Sequence, residues 1–178
     1  MINKKIFTFT AILSILFFSC NNKNLPDKIK NLPRKLEIKH SHSELYAEKD
    51  SNTGYYYWRH KTSVTSPDYD AKIIEFGTYN YKKGKWILGN IIHKPYGPER
   101  FEIWYSKQNP DKSWEFCKDA VLEKGITYTD VSNYSIKNAN LVERNGLWYY
   151  IAENPDGELI MGYARYHANP ELKNNKNE

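Results

Sequence analysis

Residues 147–153 (LWYYIAE) constrain the chain most strongly. A β-strand sends alternate side chains to opposite faces. Here Leu147, Tyr149 and Ile151 fall on one face, and Trp148, Tyr150 and Ala152 on the other. Both faces are apolar, so the strand is predicted to be covered on both sides. The surrounding sequence agrees with a β reading. All 15 Tyr, all five Trp and Phe76, Phe101 and Phe116 lie beyond residue 44, and aromatic and β-branched residues suit a pleated, half-buried surface. Strands are predicted over 55–66 (one strand, ended by Pro67-Asp68), 71–80, 85–92, 114–117 and 126–130. Lys82-Lys83-Gly84 and Lys124-Gly125 supply turns. A three-stranded meander is predicted at the end of the body. It runs from 140–144 through an Asn145-Gly146 type I′ turn to 147–153, then through Asn154-Pro155-Asp156-Gly157 to 158–166. A single helix near 98–107 is expected. Pro98 stands in its first turn, Lys107 closes it, and Phe101, Trp104 and Tyr105 lie at i, i+3 and i+4.

About eight short strands with turns every 8–12 residues predict a mainly β domain over 35–170. Its form is a single antiparallel β-sandwich or a small barrel. Leu122-Glu123-Lys124-Gly125-Ile126-Thr127-Tyr128 resembles the strand-turn-strand stretch of bacterial immunoglobulin-like sandwiches, which implies a fold of that kind. Glu99-Arg100-x-x-x-Trp104-Tyr105 and Glu143-Arg144-x-x-x-Trp148-Tyr149 repeat 44 residues apart. One copy falls in the expected helix and the other in the expected hairpin, so the repeat reads as coincidence. Residues 171–178 read as a polar, disordered tail.

Charge is concentrated before the body. The chain carries +5, but residues 44–178 hold 18 basic and 19 acidic residues. Nucleic acid is therefore not expected as a partner, since binding it calls for a basic face on the folded domain. Residues 1–19 combine Lys4 and Lys5 with the apolar stretch Ile6–Phe18, as secretory signals do. Ser19-Cys20 follows directly. This arrangement resembles the lipobox of bacterial lipoproteins, with Phe17 and Phe18 where Leu and a small residue are commonest. The resemblance implies that Cys20 becomes the first mature residue and carries the lipid, which holds the protein on a membrane of the cell envelope. Asn21, in place of the Asp that retains some lipoproteins at the inner membrane, points to the outer membrane. Residues 20–34 read as a flexible basic tether. Ordering 21–34 costs on the order of 14–28 kcal/mol of backbone entropy, against Leu25, Ile29 and Leu32 at about 2 kcal/mol each.

No catalytic or metal signature stands out, and no cofactor is expected. His40-x-His42 puts two imidazoles on one side of a strand, but no further ligands cluster nearby. His60, His93 and His167 are scattered. Asp68, Asp70 and Asp130 are candidates for acid–base hydrolysis. Cys117, with His93 or His167 as base, is a candidate nucleophile, against a buried, inert thiol. The loop 93–98 is the expected contact surface, with His93, Lys94 and Tyr96 as binding residues, because two prolines stiffen it. The expected function is a non-enzymatic binding module on the envelope, taking an envelope protein, a toxin or a glycan. A hydrolase of unrecognised type and a carbohydrate-binding lipoprotein are the alternatives.

Overall fold

The computed structural model describes residues 25–173. Cys20, the signal-like segment and residues 174–178 lie outside this range. The chain is mainly β, in two sheets, one of them curled into a half-barrel. In order the elements are β1 (Glu37–His40), β2 (Glu44–Lys49), β3 (Tyr56–Arg59), β4 (Thr62–Thr65), β5 (Ala71–Lys82), β6 (Lys85–Leu88) and α1 (Pro98–Trp104). Then come β7 (Ser106–Gln108), β8 (Trp114–Phe116), β9 (Val121–Leu122), β10 (Thr127–Asp130), β11 (Tyr134–Asn138), β12 (Arg144–Glu153) and β13 (Leu159–Leu172). One sheet has the order β1-β4-β10-β7-β8; the other runs β11-β3-β2-β13-β12-β5-β6, with β9 beside β5. The expected all-antiparallel pairing is broken where β13 and β2 run parallel and where an isolated parallel bridge joins Arg34 to Met161.

The large sheet is organised around β12, flanked by β5 and β13. Trp148, Tyr150 and Ala152 face the main core between the sheets, together with Phe76, Phe101 and Tyr105. Leu147, Tyr149 and Ile151 face a second cluster with Met161 and Tyr163. Leu25 and Ile29 cover that second cluster, and Ile29 is wholly buried. Residues 25–34, assigned to the tether on sequence grounds, are therefore part of the folded body. The chain bonds along the sheet there: Met161 N–H donates to Pro33 O, and Lys35 and Leu36 N–H donate to Met161 O. Lys28 Nζ pairs with Glu75 at 2.6 Å, and the Arg34 guanidinium lies 4.4 Å from the centre of the Tyr163 ring. The entropy of ordering these residues is offset by the apolar sheet face that they cover as well as by the side chains that they bury.

β5 contains a bulge. Its pairing with β12 shifts between Ile151 and Ala152. This switches the inward parity, so that Ile73 before the shift and Phe76 after it both reach the main core. The β5–β6 turn is as expected: Lys83 and Gly84 have φ of 48° and 78°, the two left-handed positions of a type I′ turn. The turn at 154–157 also forms. Asn154 Oδ1 accepts from the N–H groups of Asp156 and Glu158 at 3.0 and 2.8 Å.

The Asn145-Gly146 turn does not form. Both residues lie inside β12, where Asn145 pairs with Tyr81 and His167, and Gly146 with Asn80 and Tyr166. Glycine is required there by close approach: a Cβ at 146 would stand 2.3 Å from the Tyr166 ring. The C-terminal meander is thus a two-stranded hairpin, with β5 rather than 140–144 on the far side of β12. The single strand expected over 55–66 is two strands in two sheets, broken at His60-Lys61. The helix ends at Trp104, and Tyr105 turns extended to feed β7. Lys107 lies in β7 and pairs with Glu123 at 2.6 Å. β13 continues through Leu172, into the expected tail.

Replacing Ile29 with Ala is expected to cost about 2–5 kcal/mol in urea unfolding, the range for a fully buried Ile. A cost near zero would mean that residues 25–34 do not seal the outer face of β12.

Candidate functional site

One concavity is a cleft of about 540 Å³, within the usual range for small-molecule sites. Its floor comes from the inward faces of β5 and β12, through Thr78 and Trp148, which are partners in register. One wall is α1 with the loop before it, contributing Tyr96, Arg100 and Trp104. The other is the β10–β11 corner, with Asp130, Asn133, Tyr134 and Lys137. Ile91 and Ile92 form an exposed apolar lip.

Asn90 holds that lip in place. Its Oδ1 accepts from Thr78 N–H at 2.8 Å, and its Nδ2 donates to Lys94 O at 2.8 Å. The loop is further tied by a reciprocal backbone pair between Tyr96 and Phe76, at 2.9 and 3.0 Å. These bonds order a long connection and leave its side chains free to line the cleft.

The two copies of the Glu-Arg-x-x-x-Trp-Tyr pattern meet here. Arg100 and Trp104 come from α1, Arg144 and Trp148 from β12, and all four line the cleft. A spacing of four puts two side chains on one face of a helix, at 3.6 residues per turn, and on one face of a strand, at period two. The same interval therefore works in both elements. The Arg100 guanidinium is 6.0 Å from the centre of the Trp104 ring, which meets Tyr96 edge-on at 4.8 Å. Lys137 Nζ is 4.7 Å from the centre of the Tyr55 ring and 5.8 Å from that of Tyr57, extending the aromatic surface from the mouth.

Two features of this cleft are unbalanced. Among the described residues, Arg100, Lys137 and Arg144 form no ion pair with a carboxylate. Trp148 is 4% exposed, and its buried indole N–H has no acceptor among the described residues. Leaving such a donor unmet costs about 1–3 kcal/mol. Asp130 is the one carboxylate lining the cleft. Burial pushes its pKa up to about 6, against the opposing hydrogen bond from Ser132 N–H.

Behind Asn133 a polar seam runs into the core. Asn133 Nδ2 donates to Thr62 Oγ1 at 2.7 Å. Thr62 Oγ1 also meets His40 Nδ1 at 3.0 Å. The His40 ring meets His60 edge-on at 4.6 Å, and His60 stacks on Tyr166. Burial lowers the pKa of His40 to about 4 and that of His60 to about 3.

The other sequence candidates are spread over the molecule. His93 and Lys94 are exposed in the loop before Tyr96, and His93 has φ 55°. Tyr96 is buried rather than presented, and lines the cleft. His42 is exposed beyond the end of β1, while His40 is turned inward to Thr62 and Ala164 O. His167 sits between Glu44 and Glu143 at 3.0 and 3.2 Å. Asp70 accepts from Lys124 N–H at 2.7 Å. Cys117 is buried on another face, donates to Val121 O at 3.3 Å, and is pushed up to about 12 by burial and then by Glu102 and Glu123. Of the proposed hydrolytic set only Asp130 reaches the cleft. Among the described residues no group of three or more His, Cys, Asp or Glu is placed to hold a metal. No family model, curated protein or solved structure matches the chain.

The buried ionisable groups set a pH dependence. His40 and His60 are depressed, so the unfolded chain takes up two protons, near pH 6.5, that the native state refuses; their stabilisation is present above that pH and lost as pH falls. Asp130 is raised, so the native state takes up one proton that the unfolded chain refuses, which opposes the loss. The net uptake of one proton by the unfolded chain between pH 6 and 5 corresponds to about 1.4 kcal/mol of stability lost per pH unit. His60→Phe removes one histidine proton and is expected to leave stability flat over that range in denaturant titrations. An unchanged slope would contradict the burial of His60 as a neutral ring.

Proposed function

We propose that this chain is a non-enzymatic binding module of the bacterial cell envelope, anchored by lipid on Cys20, with the cleft as its ligand site. The observation that carries the binding reading is the set of three cations, Arg100, Lys137 and Arg144, that line the cleft and, among the described residues, form no ion pair with a carboxylate. A ligand bearing an anion would meet that need.

The cleft is concave and of small-molecule size, which favours a small ligand or the end of a glycan over a broad protein face. The hydrolase alternative has little to draw on: among the described residues no His or Cys lines the cleft, and Asp130 is joined there by no second carboxylate.

Support for the anchor is in the sequence of residues 1–20. With Cys20 lipidated, the packing of Leu25 limits the connection to residues 21–24. Its reach is then at most about 18 Å, so the body lies close to the bilayer, the outer membrane on the reading of Asn21. Two or three acyl chains, at about 0.8 kcal/mol per buried CH₂, would make release negligible. Among the described residues no helix is long and apolar enough to cross a membrane.

Cells expressing the full chain and fed alkynyl palmitate are expected to label it, with label and membrane sedimentation both lost in Cys20→Ala. An unlabelled wild-type protein in the soluble fraction contradicts the anchor. For the cleft, the full chain is incubated with a panel of uronic acids, sugar phosphates, aromatic carboxylates and neutral sugars. At least one member is expected to raise Tm and to be recovered unchanged by mass spectrometry. Turnover of a panel member, or no Tm shift with any, contradicts the module.

A further inference from the structure

We infer that the cleft takes a sugar bearing a carboxylate, a hexuronic acid or the end of a chain that carries one. This rests on the binding-module reading above and specifies its ligand.

The cations fix the first half of the ligand. Arg100 and Arg144 enter from opposite elements, and Lys137 joins them from β11. Guanidinium groups match the planar carboxylate in a two-point fork.

Asp130 fixes the second half. It is half-buried in the same cleft, and its carboxylate accepts from Ser132 N–H at 3.0 Å. An ionised carboxylate accepts hydrogen bonds and donates none. A ligand presented to it must bring donors, and hydroxyls are the neutral ones. The same charge penalises a second negative charge on the ligand. A phosphate dianion pays that penalty more heavily than a carboxylate, and an aromatic carboxylate without hydroxyls leaves Asp130 with Ser132 N–H alone.

The aromatic residues fix the body between those two ends. Trp104 and Tyr134 line the walls above the buried Trp148 floor, half-buried surfaces on which the C–H face of a sugar ring can lie while its hydroxyls point outward. A cavity of about 540 Å³ has room for one or two such rings.

The test is calorimetric titration of the full chain, purified in detergent, at pH 7 with glucuronate, galacturonate, glucose, glucose 6-phosphate and phenylacetate. One of the two uronates is expected to bind at least tenfold tighter than each of the other three compounds. Arg144→Gln and Trp104→Leu are each expected to weaken it about tenfold, with thermal unfolding run alongside to show that the variants fold. Asp130→Asn is expected to narrow or reverse the preference for uronate over sugar phosphate, a change that simple loss of fold does not produce. Equal affinity for glucose, or a preference for the phosphate or for phenylacetate, overturns the inference while leaving a binding module. No binding by any of the five overturns the inference, and the broader panel above decides the module separately.

Discussion

Burial of β12 on both faces is the constraint on which the rest of the structure depends. A one-residue slip sends every side chain of a strand to the opposite face, and here each of the two sets is packed in its own cluster. Trp148, Tyr150 and Ala152 are held by the main core, and Leu147, Tyr149 and Ile151 by the outer cluster. β5 and β13 bond to both of its edges along almost its whole length. The Tyr150 hydroxyl, deep inside, is paired with Tyr105 at 2.5 Å, which ties β12 to the residue that ends α1. The indole of Trp148 is thereby fixed in a position it cannot leave to find an acceptor elsewhere.

The cleft follows from that fixed strand and from three connections that lean over it. The loop before α1 is hung from β5 by Asn90 and by the Tyr96–Phe76 bridge. The helix is pinned by Phe101 and Tyr105, whose rings stack 4.1 Å apart. The β10–β11 corner is tied to the polar seam through Asn133. Each wall is anchored by buried groups and offers its charged groups to solvent, an arrangement suited to a preorganised site.

Strand content, the two-sided burial of 147–153 and the turns at Lys83-Gly84 and Asn154–Gly157 were legible because each rests on local chemistry: alternation, left-handed φ or an Asx turn. Asn145-Gly146 misled because the same dipeptide that suits a turn also suits a strand where a neighbouring ring needs the space of a side chain, and only the fold reveals Tyr166. The segment 25–34 misled because its burial depends on a surface supplied by β12 and β13, more than a hundred residues away. For the site, Tyr96 of the expected contact loop lines the cleft as a buried ring, and His93 and Lys94 are not among its lining residues. Arg100, Trp104, Arg144 and Trp148 are visible in the sequence as a repeat whose copies fall in a helix and a strand. An interval of four keeps one face in either element, and that is the signal which joins them. Lys137 and Tyr134 carried no signal in sequence, since the β10–β11 corner that aims them is a product of tertiary pairing.

The most direct measurement is the ¹H–¹⁵N resonance of the Trp148 indole during titration of the full chain with a hexuronate. Ligand seated on the cleft floor should shift the Trp148 resonance and saturate with the binding isotherm, while the indole of the deeply buried Trp58, bonded to Asn169 O at 2.7 Å, stays in place. A Trp148 resonance that is unmoved at saturating ligand contradicts the account.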